Sequence, residues 1–305
     1  MKTETFAQAS DGTRLYVREQ PSRQLPHLDH VGGLTAFLCD GIACDGFIWK
    51  YLWDFLAERM RVVHWHYRGH GRSRMPVDPT RILVEDFASD ADCVRRSVGD
   101  PPIVIFGHSF GCQVAFETYR LRPEKVKGLV LICGSSGRVT HSFKGTDALA
   151  QMLPGLIERV QAHPHLARGL WGSVPAELAL KIATMSGEID SRLMDPRDLL
   201  PYLEHMVDID LLMFLQMLQA AGEHSAADFL PSVDVPTLVI AGDKDSFTPP
   251  RFAEEMAKAL PKGELLMLNA THVAPLEQRA TVHEKIAEFL QRLETTPALP
   301  ATPAS

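Results

Sequence analysis

The chain of 305 residues carries a formal net charge of −7, with 45% hydrophobic and 23% charged residues. That apolar content excludes disorder as the main state, and a chain this long buries roughly three quarters of its unfolded surface, so one large α/β domain or two smaller ones need no disulfide or metal staple. The acidic balance argues against a nucleic-acid partner, because phosphate neutralisation takes a basic face.

The opening MKTETFAQAS has no apolar h-region, so no signal peptide is expected and the reading is a cytoplasmic protein. Thr3–Gln8 and Arg14–Glu19 are β-rich, and Asp11-Gly12 between them signals a hairpin. Gln20–Gly33, with Pro21, Pro26 and a glycine pair, reads as a loop. Apolar runs of strand length follow at Leu34–Cys39, Arg61–His66, Pro102–Phe106, Lys127–Cys133, Pro236–Ala241 and Glu264–Leu268. Helical patterns separate most of them, at Phe47–Glu58, Val84–Val98, Ser109–Leu121, Arg251–Leu260 and Ala280–Leu293. Continuous apolar strands alternating with helices indicate a parallel sheet covered on both faces.

One interval breaks the alternation. From Gly134 to about Val235 the patterns are helical, at Asp147–Ala162, Pro175–Met185, Asp195–Val207 and Asp210–Ala221. This predicts a mainly helical insertion after the sixth sheet strand. It holds Met152, Met185, Met194, Met206, Met213 and Met217, more than half of the 11 methionines. Methionine suits either an adaptable apolar pocket or a core filler. Glu294–Ser305, rich in Pro, Thr and Ala, reads as a disordered tail. No window approaches 18 uninterrupted apolar residues, so no membrane span is expected. The five cysteines, Cys39, Cys44, Cys93, Cys112 and Cys133, are odd in number and scattered, which fits buried reduced thiols better than a disulfide or zinc framework.

The chemistry centres on Gly107-His108-Ser109-Phe110-Gly111, directly after an apolar strand run and at the start of a helical one. In a strand–turn–helix context such a serine sits on a strained turn with its Oγ held above the sheet. Glycines flank it because neighbouring backbone approaches closely. Serine alone is a poor nucleophile and needs a base. His272, in a loop after the last strand, is the candidate. His108 is expected to pack against or tune the serine turn. The base needs a carboxylate to hold its tautomer; the loop after Val239–Gly242 offers Asp243 and Asp245, which spacing does not separate. Backbone N–H groups of Phe110 and of Ile42, the latter in the loop after the third strand, are the expected oxyanion donors. His163-Pro164-His165 supplies too few ligands for a metal site. The basic run Arg68–Arg72 reads as a solvated loop, and no cofactor or metal motif is present.

Together these residues resemble the α/β-hydrolase family, in its serine esterase, cofactor-free haloperoxidase and C–C hydrolase branch. Further frames carry the resemblance. Asp40-Gly41 through Asp45-Gly46 to Trp49 occupies the family's H-G-x-x-x-S/D-G-x-x-W, and His66-Tyr67-Arg68-Gly69-His70-Gly71-Arg72-Ser73 its D-x-R-G-x-G-x-S. Gly242 to Pro249 fits G-x-x-D-x-x-x-P and points to Asp245 as the acid; Thr271-His272 through Glu277 fits G-H-x-x-x-x-E loosely. Asp40 stands where the family has histidine and His66 where it has aspartate. The two could be an exchanged hydrogen-bonding pair, or Asp40 could alter substrate choice near the oxyanion donors.

The resemblance implies an α/β-hydrolase fold: a mostly parallel eight-stranded sheet, helices on both faces, and a helical cap after strand six. Residues 1–136 and 232–293 would form the core, 137–231 the cap and 294–305 the tail. It implies a Ser109–Asp245–His272 triad that cleaves a small to medium acyl or aryl ester, without cofactor, in a monomer or homodimer. C–C hydrolase, perhydrolase or acyltransferase chemistry would use the same residues. A ligand-binding member with little turnover is the alternative from another class.

Overall fold

The computed structural model describes residues 2–23, 33–141 and 145–295. Eight strands form one sheet: β1 Thr3–Gln8, β2 Arg14–Gln20, β3 Thr35–Cys39, β4 Arg61–Trp65, β5 Ile103–His108, β6 Val126–Ile132, β7 Thr237–Gly242 and β8 Gly263–Leu268. Their order is β1-β2-β4-β3-β5-β6-β7-β8. The first two pairings are antiparallel and the rest parallel. The β1–β2 hairpin turns at Gly12, whose φ of 88° suits glycine, and the Asp11 carboxylate accepts the Thr13 N–H.

The sheet is apolar on both faces, and the two-residue period divides it. Phe37, Val63, Ile105, Leu129, Leu131 and Val239 enter one core cluster with α2 (Val84–Ser97), α3 (Phe110–Leu121) and α9 (Pro250–Ala259). Leu38, Val62, Val104, Val130, Leu238 and Ile240 enter another with α1 (Leu52–Ala57), α10 (Ala274–Glu277) and α11 (Arg279–Thr295). Along the sheet the chain proceeds outward in opposite directions from β3 and β5. Their carboxyl ends therefore flank the crevice where open α/β sheets bind ligands.

Between β6 and β7 the described residues form α4 Ala148–Ala162, α5 Pro164–Trp171, α6 Ala176–Met185, α7 Leu200–Asp208 and α8 Leu211–Glu223. Helices α4 and α8 share a small apolar cluster of Leu153, Ile157, Val160 and Leu215. Helices α5 and α6 bury no residue.

Four element expectations need correction. The Phe47–Glu58 pattern is a short 3-10 turn at Phe47–Trp49 followed by α1. Helix α5 was not expected; Pro164 opens it at a position where proline's fixed φ and missing N–H cost nothing. Helix α11 runs to Thr295, two residues into the expected tail, and 296–305 lie outside the described residues. The expected Gln20–Gly33 loop begins inside β2, and 24–32 also lie outside the described residues.

Candidate active site

Ser109 joins β5 to α3 with φ 54° and ψ −118°, a conformation that L residues rarely hold. Close packing fixes the turn. A Cβ on Gly107 would lie 2.5 Å from the Gly111 carbonyl oxygen, and one on Gly111 would lie 2.1 Å from the Cys39 oxygen. Both obstacles are backbone, so neither glycine can carry a side chain without moving the sheet. The Ser109 N–H donates to Ile132 O at 2.9 Å, which ties the turn to β6.

His272 lies in the loop after β8, and its Nδ1 stands 2.8 Å from Asp245 Oδ2. Asp245 also accepts the Phe247 and Thr248 N–H groups at 2.9 Å and the Thr248 hydroxyl at 2.7 Å. Burial works to raise the Asp245 carboxyl, but the His272 ring and these bonds hold it below the usual range. An ionised Asp245 makes Nδ1 the protonated nitrogen and leaves Nε2 as the acceptor. Asp243 is exposed and receives only the Ala270 N–H, at 3.3 Å. The two aspartates that spacing did not separate are thus distinguished by geometry.

Two further residues seat this loop. Buried Glu277 accepts the Thr271 N–H at 2.6 Å and hydroxyl at 2.9 Å, and also the Asp190 N–H at 2.7 Å. His108 Nε2 donates to the His272 carbonyl at 3.0 Å. Burial pushes His108 down to about 3, so the ring is neutral, and its Nδ1 has no hydrogen-bond partner.

The loop after β3 faces Ser109. A Cβ on Gly41 would sit 3.2 Å from Ser109 Cβ. Phe110 is the first residue of α3, where an N–H has no intrahelical partner. Ile42 and Phe110 line the same cavity as Ser109 and His272. Ala43, at φ 61°, is held by an N–H···Nε2 bond of 3.2 Å to His70. His70 Nδ1 donates to Arg68 O at 2.9 Å, so Nε2 is its bare nitrogen. Burial keeps this ring neutral by pushing it down to about 4. Nothing in the sequence singled out His70 or Glu277's reach to the Asp190 N–H.

The exchanged Asp40–His66 pair, one of the two readings left open, is not what forms. Asp40 Oδ2 bonds His64 Nε2 at 2.7 Å, and Trp49 Nε1 donates to Asp40 Oδ1 at 2.6 Å. His66 instead accepts the Arg72 N–H at 2.9 Å and packs on Tyr16, ring centroids 4.6 Å apart. The parallel register sets Leu38 opposite His64, so continuing it would set Asp40 opposite His66. Strand β3 ends at Cys39, and Asp40 departs from that line.

The basic run is not a solvated loop either. Arg68 is fully buried and forks onto Asp90 at 2.8 and 2.6 Å, with Asp11 at 3.0 Å and the Arg81 carbonyl at 2.9 Å. Of the run's two arginines only Arg72 reaches the surface, against Glu4 at 2.6 Å.

The cavity above Ser109 has a volume of about 470 Å³. The segment between β6 and β7 gives it an apolar wall, including Leu199, Leu203, Met206, Phe214 and Leu218. Of the six methionines in that segment only Met206 lines it; Met194, Met213 and Met217 are core residues, and Met152 and Met185 are exposed. All five cysteines are free, four of them buried. His163 and His165 are exposed, and among the described residues no group of three or more His, Cys, Asp or Glu side chains could hold a metal.

The alpha/beta hydrolase family model matches residues 37–285, most of the chain. The chain belongs to that family. Among solved structures, an esterase from Thermogutta terrifontis superposes with a TM-score of 0.72 at 23% identity, covering 97% of this chain and 100% of that one. A pimeloyl-(acyl-carrier protein) methyl ester esterase of Neisseria meningitidis is 29% identical over 70% of this chain and 75% of its own length. Polyketide synthase ThaQ of Burkholderia thailandensis is 26% identical over 93% of this chain, which spans 14% of that protein's length. This alpha/beta hydrolase has an eight-stranded, mostly parallel sheet. Among its described residues no helix is long and apolar enough to cross a membrane.

Proposed function

We propose that this alpha/beta hydrolase is a serine esterase acting on small to medium acyl or aryl esters. One observation carries the reading: Ser109, on its strained turn, shares a cavity wall with His272, whose other ring nitrogen is bonded to a buried carboxylate. Ser109 Oγ attacks the acyl carbonyl carbon and its proton passes to His272 Nε2. Asp245 stabilises the imidazolium. The Ile42 and Phe110 N–H groups bind the oxyanion. Collapse breaks the ester C–O bond, and His272 returns the proton to the departing alcohol. Water, deprotonated by His272, then attacks the acyl-Ser109 ester and releases the acid.

The apolar cap wall favours an uncharged hydrocarbon acyl or aryl group, and the cavity volume lies in the range of small-molecule sites. The methyl ester esterase named above and the esterase of matching fold are consistent with ester cleavage. We further propose that residues 137–231 act as a cap domain on the core formed by 1–136 and 232–293. The test is a p-nitrophenyl ester series from acetate to octanoate, on wild type and Ser109→Ala. The expected result is turnover with an initial nitrophenol burst in wild type, and neither in the variant. Equal turnover in Ser109→Ala would overturn the assignment.

A further inference from the structure

A buried chain of hydrogen bonds runs beneath the loop opposite Ser109. Arg18 Nε donates to His64 Nδ1 at 3.0 Å. A guanidinium is a donor only, so His64 Nδ1 is bare and its proton sits on Nε2, which points at Asp40 Oδ2. The indole of Trp49, also a donor only, occupies Oδ1. Both Asp40 oxygens therefore face obligate donors, and a proton on either would meet another proton. This arrangement holds only with Asp40 ionised and His64 neutral.

We infer that Arg18 is a positioning residue, which fixes the His64 tautomer and compensates the Asp40 carboxylate so that the Gly41–Ile42 turn stays aimed at Ser109. The inference rests on the reading of that turn as an oxyanion donor. A buried carboxylate beside a developing oxyanion opposes it unless a cation offsets it. The other groups around Asp40 supply none. His66 and His70 are kept neutral by burial, Cys39, Cys44 and Tyr67 are pushed up by burial, and Asp45 adds a like charge. His205 of the cap faces Asp45 and His70 rather than the relay. Burial drives the Asp40 carboxyl up, to about 6 even with Arg18 among the groups pulling it back.

The relay is also anchored. Arg18 lies over the Trp53 ring, 4.8 Å from its centroid. A Cβ on Gly46 would come 2.1 Å from Arg18 Nη2, so that glycine, at φ 97°, gives the guanidinium its seat. At the other end, the Asp40 carbonyl accepts the Tyr67 hydroxyl at 2.9 Å and packs on Gly111 beside Ser109. Asp40 cannot shift without disturbing the serine turn.

The experiment compares wild type with Arg18→Met, Arg18→Lys, Asp40→Asn and the Arg18→Met/Asp40→Asn pair, reading kcat and KM for one p-nitrophenyl ester from pH 5.5 to 9. Arg18→Met should lower kcat about tenfold with KM within about twofold. Its acid limb should move up by about one pH unit, and Arg18→Lys should restore both. Asp40→Asn alone meets a donor with a donor and should be damaged. With Arg18 gone, His64 is free to take the other tautomer and accept from the amide, so the double variant should exceed Asp40→Asn. Side-chain 15N shifts should show His64 protonated at Nε2 in wild type and at Nδ1 in the double variant. An unchanged pH profile in Arg18→Met, a double variant no better than Asp40→Asn, or an Nδ1 proton in wild type would overturn the inference. The 15N reading needs no turnover, so failure of the esterase assignment leaves the relay separately decided.

Discussion

The carboxyl edge of the sheet and the helical segment between β6 and β7 are built under opposite constraints. At the sheet edge each backbone approach is closed: Gly107, Gly111, Gly134 and Gly242 all have backbone atoms within 3 Å of where a Cβ would sit. In the helical segment, Gly155 and Gly169 have nothing within 4 Å of where a Cβ would sit, and α5 and α6 expose Leu166, Leu170, Leu178, Ile182 and Met185. The contrast separates two jobs. Chemistry needs atoms fixed to fractions of an ångström, and a sheet covered on both faces supplies that. Substrate choice tolerates more variation, and we propose that it rests with the apolar cavity wall that α7 and α8 supply.

Substitutions that break this contrast can be ranked. Largest is the aspartate pair. Asp245→Asn should lower kcat roughly 10³–10⁴-fold, because an amide cannot hold the His272 tautomer. Asp243→Asn should stay within about twofold, since its carboxylate is exposed. Steady-state ester kinetics on both variants checks the pair, and a crippled Asp243→Asn would refute the assignment.

Next is the glycine pair. Gly111→Ala forces a methyl into the Cys39 carbonyl and should cost about 3 kcal/mol or more, or prevent folding. Gly155→Ala, in the open on α4, should be neutral or stabilise by up to about 1 kcal/mol. Urea unfolding measures both.

Acid should act on the sheet side. Burial depresses His64, His66, His70 and His108, three of them to about 2, 4 and 3 and His64 well below its usual value. Below about pH 6.5 the unfolded chain takes up protons that the fold refuses, so stability falls as pH drops toward 4. Asp40 and Asp90, each raised by burial to about 6, act in the other direction between about pH 4 and 6. Four groups against two leave a net loss, on the order of 1 kcal/mol per pH unit or more. Denaturation midpoints at pH 7.5 and 5 test the sign. Smallest is the cap wall: Leu203→Ala should shift preference toward longer acyl chains by about tenfold or less, with kcat on the best ester little changed.

These constraints also explain what the sequence disclosed. The serine turn, its glycines and the order of strands and helices are local patterns, and a residue-level reading finds them. Asp245 followed from a motif frame, and the bond to His272 agrees with it. Arg68 was misread because Asp90 and Asp11, which bury it, are 22 and 57 positions away. The bond of Asp40 to His64 was not among the readings the sequence offered, because it links the end of β3 to β4, 24 positions away. Glu277's bond to the Asp190 N–H spans 87 positions and leaves no local trace. Errors fell where distant segments meet, and in helix α5, which buries no residue and leaves its Leu166 and Leu170 exposed, so it shows no core pattern.

The central claim, that Ser109 is a nucleophile activated by His272, is tested most directly by intact mass after fluorophosphonate treatment, followed by peptide mapping. The account predicts one adduct on the wild-type chain, mapped to Ser109, and none on Ser109→Ala. An unlabelled wild type, or an adduct that persists in Ser109→Ala, would contradict it.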